Sequence, residues 1–161
     1  PQDKYLGNYE TVAALAYRGH DLDGLREFAR RLAFTILVAN GDAHLKNWSL
    51  IYTDPRVPSL APLYDMVSTA YYLGERETLG LKFGGTRRFD KVDVTTFERL
   101  QQRLHAPQAE LAACVAELVE RVRLHWPEYR DQLTVNLELA SSIESRITSG
   151  SRSLLRQGSD S

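Results

Sequence analysis

Side chains capable of chemistry gather in one place in this sequence. Asn40-Gly41-Asp42-Ala43-His44-Leu45-Lys46-Asn47 is followed, 18 residues after Asn47, by Asp65 in Pro62-Leu63-Tyr64-Asp65. A hard cation such as Mg²⁺ prefers carboxylate and carbonyl oxygens, and proteins usually hold it with one or two carboxylates plus substrate phosphates. Asp65 and Asn47 offer that donor set. Phosphoryl transfer of the protein-kinase kind asks for three groups. One carboxylate accepts the hydroxyl proton, an amide oxygen five positions later holds a metal, and a second carboxylate beyond a hairpin holds the metal that bridges the phosphates. Asp42, Asn47 and Asp65 stand in that order.

Each residue alone has a plainer reading. An Asp after Asn-Gly is commonly a turn residue, and an Asn in a loop commonly satisfies neighbouring backbone groups. Asp65 ahead of an apolar run is a good helix N-cap. His44 by itself reads as a hydrogen-bonded scaffold residue, and Lys46 as a solvated charge. The joint order is what favours catalysis, since chance would have to place all three groups as the reaction needs them.

The elements around these residues are suited to holding them. From about 23 to 40, Leu25, Phe28, Ala29, Leu32, Ala33, Ile36 and Leu37 follow the spacing of a helix with one broad apolar face, with Arg26, Glu27, Arg30 and Arg31 opposite. Asn40-Gly41 is expected to end it in a left-handed conformation. A rigid anchor of this kind matters for a reaction that depends mostly on positioning and electrostatics. Trp48 to Tyr52, closed by Thr53-Asp54-Pro55, and a stretch beginning Leu60-Ala61-Pro62-Leu63 predict a small hairpin. Upstream, Val12, Leu15 and Ala16 predict one short helix stopped by Gly19-His20-Asp21. Downstream, the patterns predict a short helix over 66–73, a strand over 78–83 and a turn at Gly84-Gly85. A capping box of Thr95 and Glu98 is expected to open a helix over 93–104. Helices over 108–125 and 129–147, separated by Trp126-Pro127, carry Leu111, Val115, Leu118, Val119 and Val122, then Leu133, Leu137, Ala140, Ile143 and Ile147. They are expected to pack as a pair against the helix at 23–40. The serine-rich end, 148–161, is expected to be a disordered tail after a single domain over 1–147.

Composition excludes several classes. The 161 residues are 43% hydrophobic and 25% charged with a net charge of −1, which describes a globular protein and gives no overall bias toward nucleic acid or an anionic membrane. One cysteine, Cys114, makes neither an internal disulfide nor a thiolate metal cluster, and it suits a reducing, cytoplasmic compartment. No signal peptide or membrane-spanning run is present in the sequence. The start at Pro1, without Met and within a polar segment, reads as a piece cut from a longer chain.

The stretch Asp42-Ala43-His44-Leu45-Lys46-Asn47-Trp48-Ser49, with Ala61-Pro62-Leu63-Tyr64-Asp65-Met66-Val67-Ser68, resembles the catalytic loop and metal-binding segment of HipA-type serine/threonine protein kinases, toxins of bacterial toxin–antitoxin pairs. The resemblance extends over residues 1 to about 147. It implies a mainly α fold, the helical C-terminal lobe of a protein-kinase-like fold with a small catalytic β-hairpin. It also implies ATP and Mg²⁺, with Asp42 as catalytic base and Asn47 and Asp65 as metal and cofactor ligands. His44 and Lys46 join Asp42 as candidate catalytic residues of undefined role. The implied partners are a protein substrate, an aminoacyl-tRNA synthetase in studied relatives, and a DNA-binding antitoxin. No His-Arg precedes Asp42 and no Phe-Gly follows Asp65, as is normal for this group. A Gly-rich phosphate loop with its strand lysine is missing, so the N-terminal kinase lobe is expected to be absent and this chain alone inactive.

Three other readings compete. The loop also resembles the His-Gly-Asp-x-His-x-x-Asn loop of aminoglycoside- and choline-type phosphotransferases, with Asn40 where those carry His. A two-metal phosphoesterase would use Asp-x-His, but His20, His105 and His125 do not complete its ligand set. A non-enzymatic helical binding module would use the loop only as a connection.

Overall fold

The computed structural model describes residues 6–54, 57–133 and 136–156. They form a mainly helical unit in the order α1 (Tyr9–Ala16), α2 (Leu22–Leu37), β1 (Leu50–Asp54), β2 (Val57–Leu60), α3 (Ala70–Leu73), α4 (Val94–Arg103), α5 (Leu111–Gln132) and α6 (Leu137–Leu154). The fold class expected from the sequence is the one observed. The strands form one antiparallel hairpin with Leu50 opposite Leu60 and Ile51 opposite Ser59.

Helix α2 is the axis of the core. Asp21 caps it by accepting from the Gly24 N–H at 2.9 Å, and Leu25, Phe28, Ala29, Leu32, Ala33, Ile36 and Leu37 are all buried. That apolar face packs on α1, α5 and α6. Leu111, Val115 and Val119 come from α5, Phe97 and Leu100 from α4, and Ile147 and Leu154 from α6. The expected packing of the last two helices against α2 is therefore seen. Leu118, however, is only partly buried at the margin of the cluster.

Several local expectations are corrected. Helix α2 ends with Ala39 in the left-handed region (φ 50), not at Asn40-Gly41. The return strand is Val57–Leu60 and does not extend over 60–63. Ala61 N–H still bonds Ser49 O at 2.9 Å, and Pro62 then has no N–H to continue the ladder. Helix α3 covers only Ala70–Leu73 because the preceding residues direct their hydrogen bonds to the loop after α2, as described below. Residues 78–83 have the buried alternation of a strand at Leu79, Leu81 and Phe83. Their partners are the start of α1 and their own tight turn, so only isolated bridges form, Asn8 with Lys82 and Phe83 with Thr86. Gly84 and Gly85 make that turn with positive φ, as expected.

The cap of α4 is Asp93 with Thr96, not Thr95 with Glu98. Asp93 Oδ1 accepts from Thr96 N at 3.0 Å and from Thr95 Oγ1 at 2.5 Å. Trp126-Pro127 does not separate two helices, since α5 runs through Pro127 to Gln132. Pro127 and Arg123 are both exposed, so water can satisfy the carbonyl that the missing N–H leaves. The end of the chain is also more ordered than its composition suggests: α6 continues past 147 to Leu154. Ile147, Ser151 and Leu154 lie buried on one helical stripe. The Ser151 hydroxyl bonds Ile147 O at 2.6 Å and the Ser153 hydroxyl bonds Val92 O at 3.0 Å, which removes the cost of burying them. Residues 157–161 of the expected tail lie outside the described residues.

Candidate active site

The loop that follows α2 folds on its own side chains. Asn40 N–H bonds Thr35 O at 2.9 Å, continuing the end of the helix. Its buried amide oxygen accepts the Asp42 N–H at 3.1 Å. His44 N–H bonds Asp42 O at 2.7 Å and also reaches Asn47 Oδ1 at 3.0 Å. Leu45–Asn47 then forms a single 3₁₀ turn closed by Asn47 N–H to His44 O at 3.0 Å. These four bonds from Asp42 to Asn47 are local, and they turn the chain within five residues.

The core fixes this loop from beneath. Tyr9, fully buried, donates its hydroxyl to Ala43 O at 2.7 Å. Burial pushes the Tyr9 phenol far above its ordinary value, so it remains a donor at every physiological pH. Trp48 leaves the loop into an aromatic stack, its ring 5.2 Å from Phe28 and 5.8 Å from Tyr9. Two glycines allow close backbone packing. A Cβ on Gly41 would lie 1.9 Å from Glu77 Oε1 and 2.5 Å from Thr78 O, and one on Gly80 would lie 2.9 Å from Ala43 O. The extended 78–83 segment thus lies directly against the loop.

The hairpin returns the chain to the same place. Tyr64 donates to Lys46 O at 2.5 Å, with Ser49 Oγ also 2.5 Å from its hydroxyl. Arg31, held by Glu27 at 2.7 Å, donates to Ala61 O. Asp65 adopts φ 57, a left-handed conformation that Asp tolerates better than most residues. Its Oδ2 accepts from Asn47 Nδ2 at 2.7 Å. The chain then crosses back over the loop: Thr69 Oγ1 accepts the Gly41 N–H at 2.7 Å and lies 3.2 Å from Ala39 O.

Of the five residues singled out in the sequence, Asn47 and Asp65 are in direct contact. Asp42 and His44 stand together, with His44 Nε2 3.9 Å from Asp42 Oδ1. The Asp42 side chain is 52% exposed and His44 is buried, so the carboxylate is open to an incoming group while the imidazole lies behind it. Lys46 is exposed, and the bond described for it is the one its carbonyl accepts from Tyr64. Two residues that bind this loop to the hairpin side are given no site role by the sequence. Asn40 stood in the motif but was read as a helix terminator, and nothing in the spacing distinguished Thr69.

The donor chemistry suits a hard cation. Asp65 supplies an exposed carboxylate, and Asn47 Oδ1 has a second lone pair beyond the one used by His44 N–H. Among the described residues no group of three or more His, Cys, Asp or Glu gathers into a ready metal cage.

Known proteins are similar to this chain in sequence or in fold. The chain is 34% identical over 145 residues to the Sinorhizobium fredii protein named "Putative kinase Y4dM", covering 89% of this chain and 36% of that one. A Haemophilus influenzae protein named "Putative kinase" is 40% identical over 67 residues, 40% of this chain and 20% of that one. Among solved structures, HipA of Shewanella oneidensis, determined with HipB and operator DNA, superimposes with a TM-score of 0.67 at 18% identity, over 91% of this chain and 35% of that one. The chain thus spans about a third of the length of the first of these relatives and of that solved chain. The family model for the HipA-like C-terminal domain matches residues 1–126, and the chain belongs to that family.

Proposed function

We propose that this chain carries the catalytic residues of an ATP- and Mg²⁺-dependent serine/threonine protein kinase of the HipA type. The observation that carries the reading is the convergence of Asp65 on Asn47, at 2.7 Å across the hairpin, beside a loop that presents Asp42 to solvent. The relatives named as kinases, and the structural likeness to HipA, support the same reading.

In this mechanism Asp42 accepts the proton of the acceptor serine or threonine as that oxygen bonds to the γ-phosphorus and the bond to the ADP oxygen breaks. His44, buried 3.9 Å away, limits where the Asp42 carboxylate can turn. Asn47 and Asp65 would hold the metal. Mg²⁺ supplies charge neutralisation of the phosphates when bound. Lys46 stands exposed on the same turn, able to meet the anionic side of the reaction.

ATP and Mg²⁺ as cofactors, a cytoplasmic location, a protein acceptor such as an aminoacyl-tRNA synthetase, and a DNA-binding antitoxin partner all belong to this proposal for the complete protein. No described helix is long and apolar enough to cross a membrane. These 161 residues carry no glycine-rich phosphate loop with a strand lysine, so the chain by itself is expected to give no turnover. The test compares the complete protein with its Asp65→Asn variant, using labelled ATP and a Mg²⁺ titration. Mg²⁺-dependent labelling of a protein hydroxyl that falls at least about 100-fold in the variant supports the reading. Equal labelling by the two proteins refutes it.

A further inference from the structure

Asp42 and Asp65 sit on two chain segments 23 residues apart in sequence. Asn47 joins them at one end. At the other, two side chains cross between the segments in opposite directions. Asn40, 1% exposed, accepts from Asp42 N–H at 3.1 Å through Oδ1. Its Nδ2 is 3.5 Å from Asp65 O and 3.3 Å from Met66 Sδ. One amide therefore touches the backbone of both acidic residues. Thr69 reaches the other way, its hydroxyl accepting Gly41 N–H at 2.7 Å and lying 3.2 Å from Ala39 O. Its neighbour Ala70 adds a bond from its N–H to Ala39 O at 3.2 Å. Asp65 itself sits at φ 57, a left-handed conformation open to Asp.

We infer that Asn40 and Thr69 form a reciprocal clasp that sets the distance between the proton-accepting carboxylate of Asp42 and the metal-binding carboxylate of Asp65. Both are positioning residues, because their side-chain bonds go to the two chain segments themselves: Asn40 to Asp42 N–H, Asp65 O and Met66 Sδ, and Thr69 to Gly41 N–H and Ala39 O. This inference rests on the kinase reading above. The physical reason for such a clasp is that a buried amide satisfied on both sides has one arrangement, so the two segments cannot slide independently. Apolar packing would not define the spacing as closely, and residues 62–69 bury too little for it: none of them is fully buried. Misplacing a reacting group by about 1 Å costs on the order of 100-fold in rate.

The experiment uses the complete protein and measures kcat, KM for ATP, the Mg²⁺ concentration giving half-maximal rate, and the melting temperature. The variants are Asn40→Ala, Asn40→His and Thr69→Val. Asn40→Ala is expected to lower kcat about 100-fold and raise the half-saturating Mg²⁺ concentration, with KM for ATP changed by less than about threefold. Asn40→His should recover part of kcat, since neutral imidazole offers one acceptor and one N–H, as the amide does across the two segments. Thr69→Val, nearly isosteric, should shift kcat and Mg²⁺ demand in the same direction, and it decides the question alone if the Asn40 variants do not fold. Wild-type kcat and Mg²⁺ demand in Thr69→Val, or a fall in kcat with no change in Mg²⁺ demand in both positions, overturns the clasp. Asp42→Asn assayed in parallel separates the two failures. If it stays active, the kinase reading is wrong; if it is inactive while the clasp variants keep full rate, only the clasp is wrong.

Discussion

The two sides of the loop bearing Asp42 are held by different forces. On the α2 side the support is apolar: Phe28, Leu32 and Ala29 are completely buried, and Trp48 inserts its ring beside Phe28 and Tyr9. On the hairpin side, from 61 to 73, only Ala61 and Ala70 are buried, while Leu63, Tyr64, Val67, Tyr72 and Leu73 are exposed. That side is held by discrete hydrogen bonds that Tyr64, Asn47, Arg31 and Asn40 donate and one that Thr69 accepts. Packing spreads its energy over many contacts, whereas each of these bonds contributes little to stability and much to geometry. Damage to the α2 side should therefore appear as lost stability, and damage to the hairpin side as lost rate in a protein that still folds.

The largest effect is expected in the core. Phe28→Ala removes a fully buried ring at the centre of α2 and should destabilise by about 3–5 kcal/mol, read from denaturant midpoints. Loss of less than about 1 kcal/mol would show that the α2 side is not the mechanical base of the loop.

A polar device on the core side should also act on stability alone. Burial pushes the Asp93 carboxyl up, but hydrogen bonds from Thr95 and Thr96 outweigh it and hold the group below its ordinary value of 3.8. A carboxyl depressed in the native state stabilises fully above its unfolded value, and that contribution disappears as pH falls through the lower native value. Asp93→Ala should thus cost about 1 kcal/mol at neutral pH. The gap from wild type should narrow in melts taken progressively below about pH 4, while activity at neutral pH is unchanged. A gap that persists undiminished in strong acid would mean that the charge of Asp93 contributes nothing.

The smallest stability effect is expected from Tyr64→Phe. Its hydroxyl is partly solvated and bonds Lys46 O and Ser49, so its loss should cost under about 1 kcal/mol. Because Asp65 follows it directly, kcat in the complete protein should nevertheless fall by about tenfold or more. A large loss of stability with unchanged kcat would reverse the comparison.

The α2 side was legible in the sequence because apolar periodicity over 23–40 reports a helix face directly; Asp42, Asn47 and Asp65 stood out because their types and order match one chemistry, and the fold brings Asn47 and Asp65 into contact. The hairpin side was less so. The residues that bind 62–69 to the loop are ordinary polar side chains, and no periodicity marks Thr69 or separates Asn40 as bridge from Asn40 as terminator. The short α3 has the same cause: local propensity over 66–73 favours helix, and hydrogen bonds to Ala39 and Gly41 redirect it. At Pro127 and at the serine run before Leu154, local signals read as breaks are overridden by exposure in the first case and by carbonyl partners and burial in the second.

The central claim is that Asp42 takes the proton of the acceptor hydroxyl, and Asp42→Asn in the complete protein tests it most directly. The change is nearly isosteric at a half-exposed loop position, so the melting temperature should stay within a degree or two while the rate of phosphoryl transfer falls by about 10²–10⁴. Transfer at the wild-type rate by a correctly folded Asp42→Asn protein would contradict the account.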